Sequence, residues 1–272
     1  MSALARALSR ATQQLSATSD TPRLDAELLM AHALGIERDS LLLSNQPHMV
    51  PAVYHALVER RRDGEPVAYI TGKRAFWNIE LEVGPGALVP RPDSETLILA
   101  AVEHFEGTAV PQRILDLGTG PGTLLLAALD QWPKATGIGV DTSPVALAYS
   151  EKNAKRLGLA ERAHFRRGDW AKGIAEQFDL VLINPPYVAE DAELGPGVAE
   201  FEPAEALFAG GGGLDEYRRL APDLGRLLVP GGLAAVEIGH DQADAVRQLL
   251  EAHGLHPRLA CDLAGRPRAM LI

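Results

Sequence analysis

The sequence predicts an α/β protein: a mostly parallel sheet covered by helices on both faces, with a small helical module in front and a β-hairpin linking the two. Three observations carry this expectation. From Arg113 onward, short apolar runs alternate with amphipathic helical stretches. The first sixty-odd residues show only helical periodicity. Between residues 64 and 92, β-type residues alternate and are punctuated by Gly72, Gly84, Pro85 and Gly86. The 272 residues have room for one large α/β domain and a small accessory one. The expected segments are 1–63, 64–92 and 93–272.

In the first segment, Leu4, Ala7, Leu8 and Ala11 fall on one helical face. Asp20-Thr21-Pro22 supplies an N-cap and a proline at the first helical position, and the second helix runs to Gly35. A third apolar run, Val53–Val58, ends in Arg60–Asp63 and Gly64. In the second segment, Val67, Tyr69, Ile70, Phe76, Trp77, Ile79, Leu81 and Val83 suggest the hairpin, closing at Pro90-Arg91-Pro92. A helix follows to about Phe105. The third segment offers strands at Arg113–Leu117, Thr136–Asp141, Ala163–Gly168, Phe178–Ile183 and Leu233–Gly239, with a final pair near Pro257–Asp262 and Arg268–Ile272. Helices are expected at Gly122–Gln131, Pro144–Leu157, Leu214–Leu228 (interrupted at Pro222) and Gln242–His253. Ligands in such sheets sit at the carboxyl ends of the strands, so the loops after Leu117, Asp141, Gly168 and Ile183 are where chemistry is expected.

Composition narrows the function classes. The single cysteine, Cys261, excludes a disulfide framework and a cysteine-rich metal site, and is expected to be a small buried hydrophobe. Met1–Ser16 is polar and periodic, without a signal-type apolar core, and no apolar run approaches bilayer length. A cytoplasmic protein without a membrane role is the expectation. The net charge is −10; residues 1–80 hold 9 Lys/Arg and 9 Asp/Glu, so the remainder, with 17 and 27, carries all of it. That distribution argues against a nucleic-acid-gripping face. Arg60-Arg61-Arg62 and Arg166-Arg167 are taken as solvated surface.

Ile114–Gly122 is a short strand running into a glycine loop that opens a helix. Its spacing is G-x-G-x-G, and Asp116 precedes it inside the strand. A pyrophosphate needs exposed amide donors at the helix N-terminus. Pro121 removes one, and Asp116 would repel phosphate but suit the ammonium of a methionine moiety. Gly118, Thr119, Gly120, Pro121 and Gly122 are the candidate cradle. The next strand ends in Asp141, which can accept from two ribose hydroxyls, while Ser143-Pro144 caps the helix beyond it. Gly168-Asp169-Trp170 offers an acceptor for the adenine amine and an indole for the ring face. An ordinary glycine turn, a turn aspartate and a core tryptophan are the plainer alternatives.

The most specific feature is Asn184-Pro185-Pro186-Tyr187, delivered by the apolar run Phe178–Ile183. An amide nitrogen is a poor nucleophile because its lone pair is delocalised. The Asn184 side-chain oxygen and the Pro185 carbonyl can take both of its hydrogens and aim it at an electrophilic methyl; rigid placement is the main lever. Tyr187 would pack on the substrate's planar group. This chemistry calls for no metal and no nucleophilic side chain.

The chain resembles, over nearly its whole length, the HemK/PrmC-type glutamine N5-methyltransferases of peptide-chain release factors. The carrying residues are Gly64–Gly72, Leu88–Thr96, the glycine loop, Asn184–Tyr187, Phe201-Glu202-Pro203 and Gly213-Leu214-Asp215. The resemblance implies a seven-stranded, Rossmann-like S-adenosylmethionine methyltransferase sheet. It also implies a helical domain that docks class 1 release factors, and methylation of the glutamine in their Gly-Gly-Gln loop. It assigns cofactor contacts to Gly118–Gly122, Asp141, Trp170 and Asn184, and substrate contacts to Asn184–Tyr187. Pro121 stands where relatives often carry a hydroxyl residue, and Phe201 where tyrosine is frequent. The alternatives are an adenine N6 or guanine N2 nucleic-acid methyltransferase, which shares Asn-Pro-Pro-Tyr, and a scaffold that has lost activity. An acidic catalytic half speaks against the first and an intact Asn184 loop against the second.

Overall fold

The computed structural model describes residues 2–43 and 49–272. They form two compact units, Met1–Lys73 with Glu193–Glu202, and Arg74–Ala192 with Pro203–Ile272.

The first unit is helical. Its elements are α1 (Ala3–Leu15), α2 (Pro22–Leu34), the short α3 (Arg38–Leu43), α4 (Val53–Arg62) and α5 (Val67–Thr71). Leu8, Ala11, Leu15, Leu29, Met30, Tyr54 and Leu57 make its core. Gly35 ends α2 in the left-handed conformation, as its sequence position suggests. Two expectations are corrected here. Val67–Thr71 is a helix and not a strand: Ile70 belongs to the apolar core of this unit, and burial on that face overrides β propensity. Arg61 is not solvated surface; it pairs with buried Asp25 at 2.7 Å. The segment Glu193–Glu202, which contains α9 (Val198–Phe201), belongs to this unit although it is remote in sequence. Gly64 and Gly197 explain part of that: a Cβ on Gly197 would overlap the Gly64 carbonyl.

The second unit opens with the hairpin β1 (Lys73–Phe76) and β2 (Ile79–Glu82), shorter than the segment expected to form it. There follow α6 (Glu95–Phe105), β3 (Arg113–Leu117), α7 (Thr123–Gln131), β4 (Thr136–Asp141), α8 (Pro144–Arg156), β5 (Ala163–Arg167) and β6 (Phe178–Ile183). Beyond these lie α10 (Asp215–Leu227), β7 (Leu228–Glu237), α11 (Ala243–Glu251), β8 (Arg258–Cys261) and β9 (Pro267–Leu271). Among the described residues the main sheet has seven strands in the order β5-β4-β3-β6-β7-β9-β8. The pairs from β5 to β7 are parallel, and β9 runs antiparallel to both neighbours. Leu180–Ile183 have no exposed surface, as strands covered on both faces require.

Two further differences have simple causes. Helix α10 runs unbroken through Pro222. Arg218 and Pro222 lie on its exposed side, so the orphaned carbonyl faces water while Tyr217, Leu220, Ala221 and Leu224 stay packed. Cys261 is exposed and not buried, because β8 is an edge strand of the sheet. Among the described residues, no helix is long and apolar enough to cross a membrane.

Candidate functional site

The chain runs β3 to β4 to β5 in one direction and then returns, so that β6 pairs with the other side of β3. This reversal is the switch point of the sheet. The register pairs Leu117 with Ile183. The glycine loop and Asn184 therefore leave adjacent strand ends side by side. A cavity of about 300 Å³ opens there, lined by Asp116, Gly118–Pro121, Asp141, Asp169, Trp170, Asn184 and Pro186 together with Ser94, Glu216 and Arg219.

Asp116 is fully buried at the end of β3. Its Oδ2 accepts from the Thr119 hydroxyl at 2.6 Å and from the Leu125 amide at 3.1 Å, which caps the first turn of α7. Burial, with a smaller push from Asp141, raises its pKa to about 7, against the pull of those two donors. Its Oδ1 is buried without a partner among the described residues. The acid before the loop thus has a structural duty beyond any ligand contact. It also keeps one free acceptor oxygen.

Asp141 lies half-buried at the end of β4. Its Oδ2 accepts from the Gly120 amide and its Oδ1 from the Ser143 amide, both at 2.8 Å. Ser143 caps α8 through the Ala146 amide, as expected. The loop needs glycine where it bends hardest. Gly118 has φ +75°, and a Cβ there would come within 3.1 Å of the Trp170 ring; Gly120 has φ +55° and faces open space. Pro121 contributes its carbonyl, which accepts from the buried Asn153 side chain at 3.0 Å.

Asp169 and Trp170 are held by residues that sequence reasoning missed. Arg219 on α10 pairs with exposed Asp169 and with Glu216. Glu216 in turn takes the Trp170 indole hydrogen at 2.6 Å. The indole is thereby fixed over the glycine loop by a helix some fifty residues further along the chain.

The Asn184 loop is divided between cavity and core. Asn184 and Pro186 line the cavity; Pro185 is buried and, like Tyr187, is not among the lining residues. Asn184 Nδ2 donates to the Ser94 hydroxyl at 3.2 Å, leaving Oδ1 as its accepting end. Tyr187 turns its ring to the core, donates its hydroxyl to Glu237 Oε1 at 3.2 Å, and offers its carbonyl to Gln242 at 2.9 Å. Burial pushes the Tyr187 hydroxyl well above its ordinary pKa. These two bonds tie the loop to β7 and to Gln242. Glu202 is buried and groups with the helical unit.

The chemistry of this lining fits an S-adenosylmethionine-like group. One unpartnered buried carboxylate oxygen suits an ammonium, the glycines of the loop leave space beside it, and an indole covers one wall. Residues 6–72 match the model of the PrmC N-terminal domain, and residues 91–214 that of the methyltransferase small domain. Among solved structures, the chain is similar to a methyltransferase from Pyrococcus furiosus, with a TM-score of 0.53 at 15% identity, covering 70% of this chain and 86% of that one. It is likewise similar to the T. thermophilus 16S rRNA N2 G1207 methyltransferase solved with AdoMet and guanosine, with a TM-score of 0.51 at 19% identity, covering 73% and 48%. These likenesses show the fold, and with the domain match they make the chain a methyltransferase by class. Two curated release factor glutamine methyltransferases are much nearer in sequence. That of Rhodospirillum rubrum is 44% identical, covering 98% of this chain and 84% of the relative. That of Escherichia coli K12 is 38% identical, covering 93% and 92%. The chain belongs to the release factor glutamine methyltransferase family.

Proposed function

We propose that the protein transfers the methyl group of S-adenosylmethionine to the side-chain amide nitrogen (N5) of the glutamine in the Gly-Gly-Gln loop of peptide-chain release factors. The observation that carries this is the adjacency of the Asn184 loop and the glycine loop at the β3–β6 switch point.

When bound, S-adenosylmethionine supplies a methyl group on a positively charged sulfur. Asp116 Oδ1 would meet its ammonium, Asp141 its ribose hydroxyls, and Asp169 with Trp170 its adenine. Each Asp141 oxygen already holds one backbone amide and keeps a second lone pair for a hydroxyl. Asn184 Oδ1 and the Pro185 carbonyl accept the two hydrogens of the glutamine amide, which fixes the nitrogen and weakens its conjugation. Rigidity does most of the work: Pro185 and Pro186 stiffen the loop, and the Tyr187 braces anchor it. Water can receive the proton released after transfer.

The helical unit is proposed to dock the release factor. Leu43 and Met49 are 82% and 87% exposed on it and offer apolar side chains to a partner. Leu43→Asp and Met49→Asp are expected to raise KM for the whole protein substrate and leave a short Gly-Gly-Gln peptide unaffected. The central experiment is incubation with methyl-labelled cofactor and purified release factor, followed by peptide mapping. Label on the Gly-Gly-Gln glutamine is the expected result. Label on nucleic acid, with none on a protein glutamine, would overturn the assignment.

A further inference from the structure

Helix α10 brings two side chains to the cavity, Glu216 and Arg219, that the chemistry above does not use. Both meet the wall assigned to adenine through one carboxylate oxygen. Glu216 Oε2 accepts the Trp170 Nε1 hydrogen at 2.6 Å and an Arg219 Nη1 hydrogen at 2.7 Å, and Arg219 pairs onward with Asp169. The Glu216 side chain is 19% exposed, whereas Arg219 and Asp169 are about half exposed. Exposed ion pairs contribute little, so the bond to the indole is the tie that matters.

Trp170 needs that tie. Its backbone has φ +47°, a region that a bulky residue enters only where its surroundings hold it. The indole turns on its χ1 and χ2 torsions and has one polar atom, Nε1. Its six-membered ring lies against the glycine loop, since a Cβ on Gly118 would come within 3.1 Å of Cζ3. A contact at that edge leaves the ring free to pivot about it. The bond from Nε1, on the five-membered ring, removes that freedom. The carboxylate is itself a fixed point: the next residue, Tyr217, is buried and donates its hydroxyl to the Glu237 carbonyl at 3.0 Å, and Leu220 and Leu224 pack in the core.

We propose that Glu216 is a positioning residue for the cofactor: by holding the Trp170 indole it keeps in place the planar wall on which the adenine ring lies. This rests on the S-adenosylmethionine site proposed above. A wall that is already in place receives a planar base without first having to be ordered, so Glu216 acts on cofactor affinity more than on the transfer step. Glutamine in place of Glu216 keeps an acceptor oxygen for the indole; alanine keeps none.

The test is calorimetric titration of the full chain with S-adenosylhomocysteine and with 5′-methylthioadenosine, which keeps the adenine and ribose and lacks the amino-acid end. Glu216→Ala is expected to raise both Kd values about tenfold, the scale of one hydrogen bond to a charged group. Turnover at saturating S-adenosylmethionine should change less than Kd. Glu216→Gln should bring Kd back to within about threefold of wild type. In Trp170→Phe, which has no indole hydrogen to give, Glu216→Ala should add nothing. Of the three tryptophans, Trp170 is the one that lines the cavity, so tryptophan emission should shift in Glu216→Ala and stay in place in Glu216→Gln. Wild-type Kd in Glu216→Ala, or losses that multiply in the double variant, would overturn the proposal. Should Glu216→Ala fail to fold, Glu216→Leu decides, because it keeps an apolar stem and offers no acceptor; wild-type Kd in that variant refutes the role. A wild-type chain that binds neither ligand overturns the cofactor assignment and this proposal with it. Wild-type binding that Glu216→Ala leaves unchanged overturns this proposal alone.

Discussion

The two loops that meet at the β3–β6 switch point are built by opposite strategies. The glycine loop is tied down by its own strand and the next one: Asp116 holds Thr119 and Leu125, three and nine residues away, and Asp141 holds Gly120, 21 residues away, and Ser143. The Asn184 loop is tied down from far away. Ser94, Glu237 and Gln242 reach it across 90, 50 and 55 residues. The first loop needs a backbone shape and two fixed acids, which a short segment can encode. The second needs one amide oriented to a fraction of an ångström, which only packing of the finished domain can supply.

Built in these two ways, the two loops should fail differently. The largest effect is expected at Asn184. Asn184→Ala should lower kcat by about 10²- to 10³-fold, the scale for removing one positioned hydrogen-bonding group that acts in the transition state. Cofactor affinity should be nearly unchanged, as calorimetric titration would show. Near-normal turnover would break the contrast at once. Next comes Asp141→Ala, which removes both the Gly120 anchor and the acceptor for ribose. Cofactor Kd should rise about 10- to 100-fold, in line with about 1.5–3 kcal/mol for hydrogen bonds to a charged group. Turnover at saturating cofactor should suffer far less. An unchanged Kd would remove Asp141 from the cofactor site.

The same contrast explains what the sequence reveals. The strands ending at Leu117, Asp141 and Ile183 announce themselves as apolar runs that stop at Gly118, Asp141 and Asn184, and the structure begins and ends them where the pattern does. Asp116 and Asp141 are legible because they sit beside the loop they organise. Ser94, Glu216, Arg219 and Glu237 are not. Each looks like an ordinary polar residue of a helix, turn or strand until the sheet closes and brings it to the cavity. Ser94 lies within the Leu88–Thr96 segment that carries the family resemblance, which gives it no role by itself. Val67–Thr71 misleads for a related reason: its β-type residues are recruited by a helical core that the segment itself does not display.

A third test sits on the border between the two strategies. Asn153 on α8 bridges the Glu82 backbone, at 2.7 Å and 3.0 Å, to the Pro121 carbonyl. It reaches the glycine loop from 32 residues away, farther than Asp141 does. Asn153→Ala leaves those backbone groups without a partner in a buried place and should destabilise the chain by about 1–3 kcal/mol, read from the denaturation midpoint. Cofactor affinity should fall less than in Asp141→Ala. A larger fall would mean that the glycine loop too depends on remote support.

The last test separates folding from binding at one residue. Asp116 has its pKa raised to about 7 by burial, from an ordinary value near 4. Between about pH 4 and about pH 7 the folded chain therefore keeps a proton that the unfolded chain has released. Stability must fall as pH rises through that window, since the unfolded state binds fewer protons there. Glu237, also raised to about 7, adds a slope of the same sign. Asp116→Asn should make the slope shallower by at most about 1.4 kcal/mol per pH unit and leave the Glu237 share. Cofactor binding should run the other way. An ammonium against Oδ1 favours the ionised carboxyl, so affinity should rise with pH over the window in which stability falls, and Asp116→Asn should weaken binding at every pH. Opposed trends in one residue are difficult to obtain unless its unpartnered oxygen faces the ligand. Affinity that falls with pH, or that survives Asp116→Asn, would leave Asp116 as a cap for α7 and nothing more.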